Sequence, residues 1–582
     1  MGLYIPPADP SHPAVADLRS SDLLTGMERI SSMMAIKVTL EGHEERAAVS
    51  GMLHHFFSDV SAEGTTTFRV VVKESVDSVP MIPNKVDIVV ACTPPVPPQI
   101  ARQASRIGAY SDRAVRVRTT LCTDHNELLE EADVQLPLLR ETIRRQLFNV
   151  LSGLTGLVFP WGMLTGVRPT DIALRELEKA REEGCDAEAR AVARLIDDWK
   201  TSPEKAELAV ETAKSEARIL KRIDPSRGDM IVYVGLPFCP SRCAYCSFIT
   251  QDALRLSKAL PDYVDAVIHE AEALFSEEEH AMEILGNDSS FEKRAGKQMM
   301  SELPSSIIES APSSKRRIAA VYFGGGTPTS LPAPLLQRYL EGVLRVIPTD
   351  AETELTMEAG RPDTLDEEKL SILYSLGFRR LCINPQSMHD DTLCRIGRHH
   401  TTADVYKAFQ MAREAGFRDI NMDLIAGLPK EDEEALLGSV RAVIGLNPES
   451  ITLHTLSIKK GSFFDREISA SSLFRPDHAL EKAVEKSHDL LRASGYRPYY
   501  LYRQKNCRGG LENTGFARPN YACVYNVAMM SDQVPVIGLG SGSSSKKIFE
   551  RTAKRFHNPK DIDLYIRKLD ELIERKRHFF QT

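Results

Sequence analysis

From Asp229 onward the sequence alternates short apolar strands with amphipathic helices six times over. Strands read at residues 230–235, 318–323, 352–358, 380–384, 420–425 and 451–456, with helical patterns at 261–277, 334–346, 366–376, 402–415 and 432–446. Such a succession predicts a parallel sheet, closed or partly closed into a barrel, with functional groups at the carboxyl ends of its strands. Residues 290–317 interrupt the first crossover with Ser, Pro and charge and read as a mobile surface insertion. The expected fold class is α/β: a partial (β/α)6 barrel over residues 221–460, an N-terminal α+β domain over 1–220, and a C-terminal α+β extension over 461–582 that covers the substrate. In the N-terminal part, strands are expected at 36–40, 67–72 and 86–91, and helix around 126–151 and 171–200. Beyond the barrel, helices are expected at 478–493 and 560–576.

The net charge of −8, spread over 582 residues, argues against a nucleic-acid platform or an anionic-membrane binder, because both need concentrated Lys and Arg. The first residues lack the basic stretch and apolar run of a secretion signal, so a cytoplasmic location is expected. The most apolar window, 148–166, is broken by Pro160 and four Gly, and reads as a buried turn rather than a membrane span. Ten Cys without a secretory signal suggest reduced thiols.

Three of those thiols, Cys239, Cys243 and Cys246, fall within eight residues in YVGLPFCPSRCAYCSF (233–248), directly after the first barrel strand. Three thiolates on one short loop can hold three corners of a cubane [4Fe-4S] cluster and leave the fourth iron open to an outside ligand. A three-Cys zinc site, which needs a fourth ligand, is the alternative. FGGGTPT (323–329) ends the second strand, where three glycines allow backbone N–H groups to approach a ligand closely. Glu358 ends the third strand, where a buried sheet would otherwise want an apolar residue. Gln386 closes the fourth, Arg398 follows twelve residues on, and Asp423 ends the fifth.

With these residues in this order, the chain resembles radical SAM enzymes, specifically the branch containing oxygen-independent coproporphyrinogen III oxidase (coproporphyrinogen dehydrogenase). The resemblance runs from about residue 230 to 457 and more loosely to 545. It implies a [4Fe-4S] cluster on Cys239, Cys243 and Cys246. It also implies S-adenosyl-L-methionine, two molecules of it, contacted by Tyr233, Tyr245, Gly325, Gly326, Thr327, Glu358, Gln386, Arg398 and Asp423. No catalytic residue is expected beyond these cofactor ligands. The implied reaction is oxidative decarboxylation of coproporphyrinogen III to protoporphyrinogen IX by a 5′-deoxyadenosyl radical, with a reducing electron-donor protein as partner, no nucleic acid, and a monomeric chain.

A tetracarboxylate substrate needs Arg and Lys. Arg503, Lys505 and Arg518 are the candidates, with Tyr499, Tyr500 and Tyr502 as stacking surface. Two departures open other readings. Phe248 stands where the coproporphyrinogen enzymes carry a fourth Cys, as in relatives that act as haem chaperones, and Gly235 stands in place of a His. The N-terminal region with WGMLTGVRP (161–169) resembles a longer group of coproporphyrinogen dehydrogenase-like proteins. The alternatives are therefore a haem chaperone and a radical SAM methyltransferase or ring-opening enzyme acting on haem. The adjacent His399 and His400 are candidate haem ligands.

Overall fold

A computed structural model describes residues 34–41, 45–56, 60–63, 67–72, 85–93, 114–123, 127–164, 168–246, 251–252, 257–275, 317–458, 464, 476–504, 507–549 and 552–581. Residues 290–316 of the insertion read at 290–317, and Phe248 and Lys505, lie outside the described residues.

The N-terminal part is a mixed sheet of β1 (Met34–Glu41), β2 (Val60–Glu63), β3 (Thr67–Val72), β4 (Lys85–Thr93), β5 (Ala114–Thr123) and β6 (Glu127–Gln135), in the order β2-β3-β1-β4-β5-β6. Helices α1 (Arg46–Phe56) and α2 (Leu139–Thr155) share its core, where Val38, Val115 and Val117 meet Val49, Leu53, Ile143 and Leu147. Residues 127–135 are strand rather than helix, paired antiparallel with β5 along their length. Three helices follow, α3 (Pro169–Glu182), α4 (Ala187–Asp197) and α5 (Pro203–Leu220).

The barrel strands are β7 (Met230–Leu236), β10 (Ile318–Gly325), β11 (Glu354–Glu358), β12 (Arg380–Cys382), β13 (Asp419–Ala426) and β14 (Ser450–Thr455), and each pairs in parallel with the next. A two-residue β8 (Phe238–Cys239) pairs with β9 (Gln251–Asp252) inside the cysteine loop. The crossovers carry α6 (Leu260–Phe275), α7 (Ala333–Leu344), α8 (Glu367–Ser375), α9 (Asp390–Arg395), α10 (Thr402–Glu414) and α11 (Glu433–Leu446). Val232, Phe323, Met357, Leu381, Met422 and Leu453 face these helices and form one continuous core with them.

Among the described residues the barrel strands form one open sheet. Residues after α12 (His478–Ala493) extend both of its edges. β15 (Arg497–Arg503) and β16 (Glu512–Ala517) add antiparallel strands beside β14, while β17 (Val536–Leu539) runs parallel to β7 and leads into β18 (Ser544–Phe549) and β19 (Thr552–His557). Between them α13 (Val524–Met530) packs against the inner side of β7 and β10, and the Glu354 carboxylate accepts from the Val524 and Tyr525 amides at its start. The chain ends in α14 (Ile562–Arg567) and α15 (Leu569–Gln581). Among the described residues, no helix is long and apolar enough to cross a membrane.

Two buried ion networks join distant segments. Trp161 Nε1 and Lys205 Nζ donate to the two oxygens of Glu512 on β16, at 2.7 and 2.8 Å. Lys576 of α15 donates to Glu270 of α6 and to the Gly538 carbonyl, both at 2.5 Å, with both side chains fully buried. Burial would raise the Glu270 carboxyl, but Lys576, Gly540 and Asn558 outweigh it and hold its pKa below the usual range. Removing one partner strands a buried charge. Lys576→Met should therefore lower unfolding stability by about 3–5 kcal/mol in urea titration at pH 7. A loss under about 1 kcal/mol would show that the pair contributes little. Because the Glu270 pKa is depressed, the wild-type contribution is present above the unfolded carboxylate range and fades as pH falls through the folded value.

Candidate active site at the barrel mouth

The cysteine loop and the glycine loop form one unit. The Gly326 amide donates to the Leu236 carbonyl and the Thr327 amide to the Phe238 carbonyl, each at 2.7 Å. A Cβ at Gly326 would stand 2.2 Å from the Phe238 oxygen, so only glycine permits this approach. Gly325 has φ of +108°, a second position that favours glycine. The amides of Gly326 and Thr327 are thus engaged with the cysteine loop.

Cys239 and Cys243 are buried and Cys246 half-buried. Cys239 Sγ lies 3.4 Å from Thr327 Oγ1, and burial pushes its pKa up to about 11. Cys243 differs. Burial opposes its ionisation, but Arg398 and Arg361 overcome that and lower its pKa. The loop leans on the residues before His399: the Ala244 amide donates to the Ile396 carbonyl at 3.0 Å, and Ser241 Oγ to the Gly397 carbonyl at 3.3 Å.

All twelve residues singled out for cluster and S-adenosylmethionine border one cavity of about 570 Å³: Cys239, Cys243, Cys246, Tyr233, Tyr245, Gly325, Gly326, Thr327, Glu358, Gln386, Arg398 and Asp423. Glu358 accepts from Tyr322 Oη and Asn384 Nδ2, and its pKa is pushed up to about 7, first by burial and then by Asp423. Asp423 accepts from Asn421 Nδ2 at 2.7 Å and lies 3.6 Å from His454 Nε2, a partner that keeps its pKa low against burial. Gln386 adopts a left-handed φ of +70°, fixed by its amide donating to the Asp423 carbonyl at 2.8 Å. Arg398 donates to the Asn384 carbonyl.

Sequence reasoning missed several residues here. Tyr322, Asn384, His454 and Asn513 line the cavity, as do Tyr525 on α13 and Arg361 after β11. The rings of Tyr322 and Tyr525 stack at 4.3 Å, with Tyr233 alongside. The missing signal was strand alternation: Arg380, Cys382 and Asn384, then Asn421 and Asp423, then Ser450, Thr452 and His454 are spaced by two within otherwise apolar runs.

The proposed carboxylate binders fall elsewhere. Arg503 is turned away from the cavity, donating to the Leu164 and Gly510 carbonyls beside the Trp161 ring, and burial pushes its pKa down to about 10. Arg518 sits at the opposite end of the barrel, over Tyr496 and bonded to Asn447. Tyr500 and Tyr502 line the cavity and Tyr499 does not. His399 is exposed, and His400 is buried with its pKa lowered to about 3 by burial and Arg398; neither borders the cavity.

The donor set fits a cubane. Among the described residues no three Cys, His, Asp or Glu side chains meet closely enough for a single metal ion, whereas a cubane takes each thiolate on a separate iron. Arg361 and Arg398 are 2% and 7% exposed and form no ion pair with a described carboxylate. Arg361 Nη1 and Arg398 Nε are buried without a hydrogen-bond partner. A buried anionic cluster would supply the missing charge. Glu358 is the other strained charge. A carboxyl raised to about 7 favours the folded state below its unfolded pKa, and that contribution is lost as pH rises through 7. In the ligand-free protein, Glu358→Gln should raise the melting temperature more at pH 8 than at pH 6, measured by calorimetry; an equal shift at both would refute the assignment.

The radical SAM superfamily profile matches residues 233–443. The oxygen-independent coproporphyrinogen-III oxidase-like protein HemZ of Bacillus subtilis is 34% identical over 445 residues, covering 76% of this chain and 81% of that protein. The heme chaperone HemW of Escherichia coli is 29% identical, covering 56% of this chain and 74% of its own. The oxygen-independent coproporphyrinogen III oxidase of Paracoccus denitrificans is 24% identical over 55% of this chain and 63% of that one. Among solved structures, coproporphyrinogen III oxidase (HemN) from Escherichia coli aligns over 62% of this chain and 73% of its own, at 20% identity and a TM-score of 0.42. The chain belongs to the radical SAM superfamily, in the family of oxygen-independent coproporphyrinogen III oxidase-like proteins.

Proposed function

We propose that this protein carries out the oxygen-independent oxidative decarboxylation of coproporphyrinogen III to protoporphyrinogen IX. The observation that carries the reading is the single cavity bordered by three cysteines, the glycine loop and the polar ends of β11 to β14. Cys239, Cys243 and Cys246 would hold a [4Fe-4S] cluster, which, reduced by an external donor, would supply the electron for cleavage of S-adenosylmethionine to methionine and a 5′-deoxyadenosyl radical. The chain's own groups do the rest. Glu358 and Asp423 accept hydrogen bonds from the cationic amine and ribose hydroxyls of S-adenosylmethionine, and Arg398 and Gln386 position the remainder. The stacked rings of Tyr233, Tyr322 and Tyr525 border the cavity and would help to exclude water from it. Each of two propionates loses a β-hydrogen atom and CO2, leaves a vinyl group and passes one electron to an acceptor, so two molecules of S-adenosylmethionine serve one substrate.

A second reading, haem chaperone, is favoured by one observation. The arginines that line the cavity are already bonded, Arg361 to the cysteine loop, Arg380 to Asp419 and Arg398 to Asn384, and Arg503 and Arg518 lie outside it. Anaerobic reconstitution with dithionite, S-adenosylmethionine and coproporphyrinogen III separates the two. The oxidase reading expects divinyl product with two CO2; no product together with stoichiometric haem binding would overturn it. Cys246→Ala should abolish cluster assembly, read from iron content and the visible absorption of the reconstituted protein.

A further inference from the structure

Arg361 follows β11 in the stretch EAGRPDT, and its side chain lies against the cysteine loop. The side chain is 2% exposed. Nη2 donates to Cys243 Sγ at 3.0 Å and to the Ser241 carbonyl at 2.8 Å, so one nitrogen reaches both a thiol and the backbone of the loop that carries it. Nη1 is buried without a hydrogen-bond partner, and the residue lines the cavity. Its backbone is fixed as well. The Arg361 carbonyl accepts from Thr364 Oγ1 at 2.8 Å, and Thr364 in turn meets Thr329 of the glycine loop at 2.7 Å. The guanidinium is therefore locked against the sulfur by both neighbouring loops.

We propose that Arg361 is a positioning residue that makes the cluster easier to reduce, through its N–H bond to Cys243 and its fixed positive charge. This rests on the cluster reading above. A cubane held by three thiolates has net charge −1 oxidised and −2 after gaining one electron from an external donor. A nearby cation and a donor on a ligand sulfur stabilise the more negative form, which raises the potential. Arg398, which donates to the Asn384 carbonyl, also interacts with Cys243 and adds positive charge beside the same sulfur.

The test uses the full chain, reconstituted anaerobically with iron and sulfide, in wild-type, Arg361→Gln and Arg361→Lys forms. Iron content is measured first, then the reduced fraction by electron paramagnetic resonance during titration with dithionite and mediators. Both variants are expected to load iron. Arg361→Gln should be at least tenfold harder to reduce, a shift of about 59 mV to more negative potential for one electron. Arg361→Lys, which keeps the charge and loses the planar fork, should fall between. An iron-loaded Arg361→Gln variant with unchanged potential would overturn the proposal. So would loss of iron in both variants beside a loaded wild type, which would make the residue purely structural. Failure of the wild type itself to take up a four-iron cluster would instead be failure of the cluster reading.

Discussion

Every second residue of β11 to β14 faces into the barrel, and in this chain those residues are polar except Cys382 and Ile425. That constraint shapes much else in the structure. The outward residues, such as Met357, Leu381, Met422 and Leu453, carry the hydrophobic stabilisation by packing on the helices. The inward ones must satisfy one another, because a buried polar group without a partner costs more than its bond returns. Arg380 therefore binds Asp419 and Ser450 at the lower end, Asn421 binds Asp423 in the middle, and Tyr322 and Asn384 converge on Glu358 at the top. An interior built this way resists collapse, which leaves room for ligands where a TIM barrel would hold packed aliphatic layers.

The C-terminal third completes this interior. α13 enters the barrel from below and presents Tyr525 to the cavity, and its exposed amides are met by Glu354 from the sheet it plugs. The two edges left open by six parallel strands are capped by β15 and β16 on one side and β17 to β19 on the other. Unpaired strand edges are aggregation sites, so the extension protects the sheet as well as shaping the cavity.

Much of the fold was legible in the sequence, because a parallel strand between two helices leaves a short apolar run that composition alone reveals. All six barrel strands lie where the pattern puts them, within a few residues at their ends. Residues 127–135 defeat the same method. ELLEEADVQ has helix-forming composition and an edge position half open to solvent, and only its pairing with distant β5 makes it a strand. The site residues at strand ends were legible because a polar group there breaks the apolar run. The direction of Arg503 was not. The register of β15 against β16 shifts between Pro498 and Tyr500, which fixes the faces of the strand: Tyr500 and Tyr502 turn inward and Arg503 turns toward Trp161. Arg361 escaped notice because its partner, Cys243, is 118 residues away.

The shared carboxylate of Glu512 has a consequence for how the chain is made. Its lysine partner is synthesised 307 residues before it and its indole partner 351 residues before. During translation Lys205 and Trp161 therefore lack this shared partner until all six barrel strands have been synthesised. The N-terminal part can complete this contact only after β16 has been synthesised, so that its docking there records that this edge of the sheet has formed.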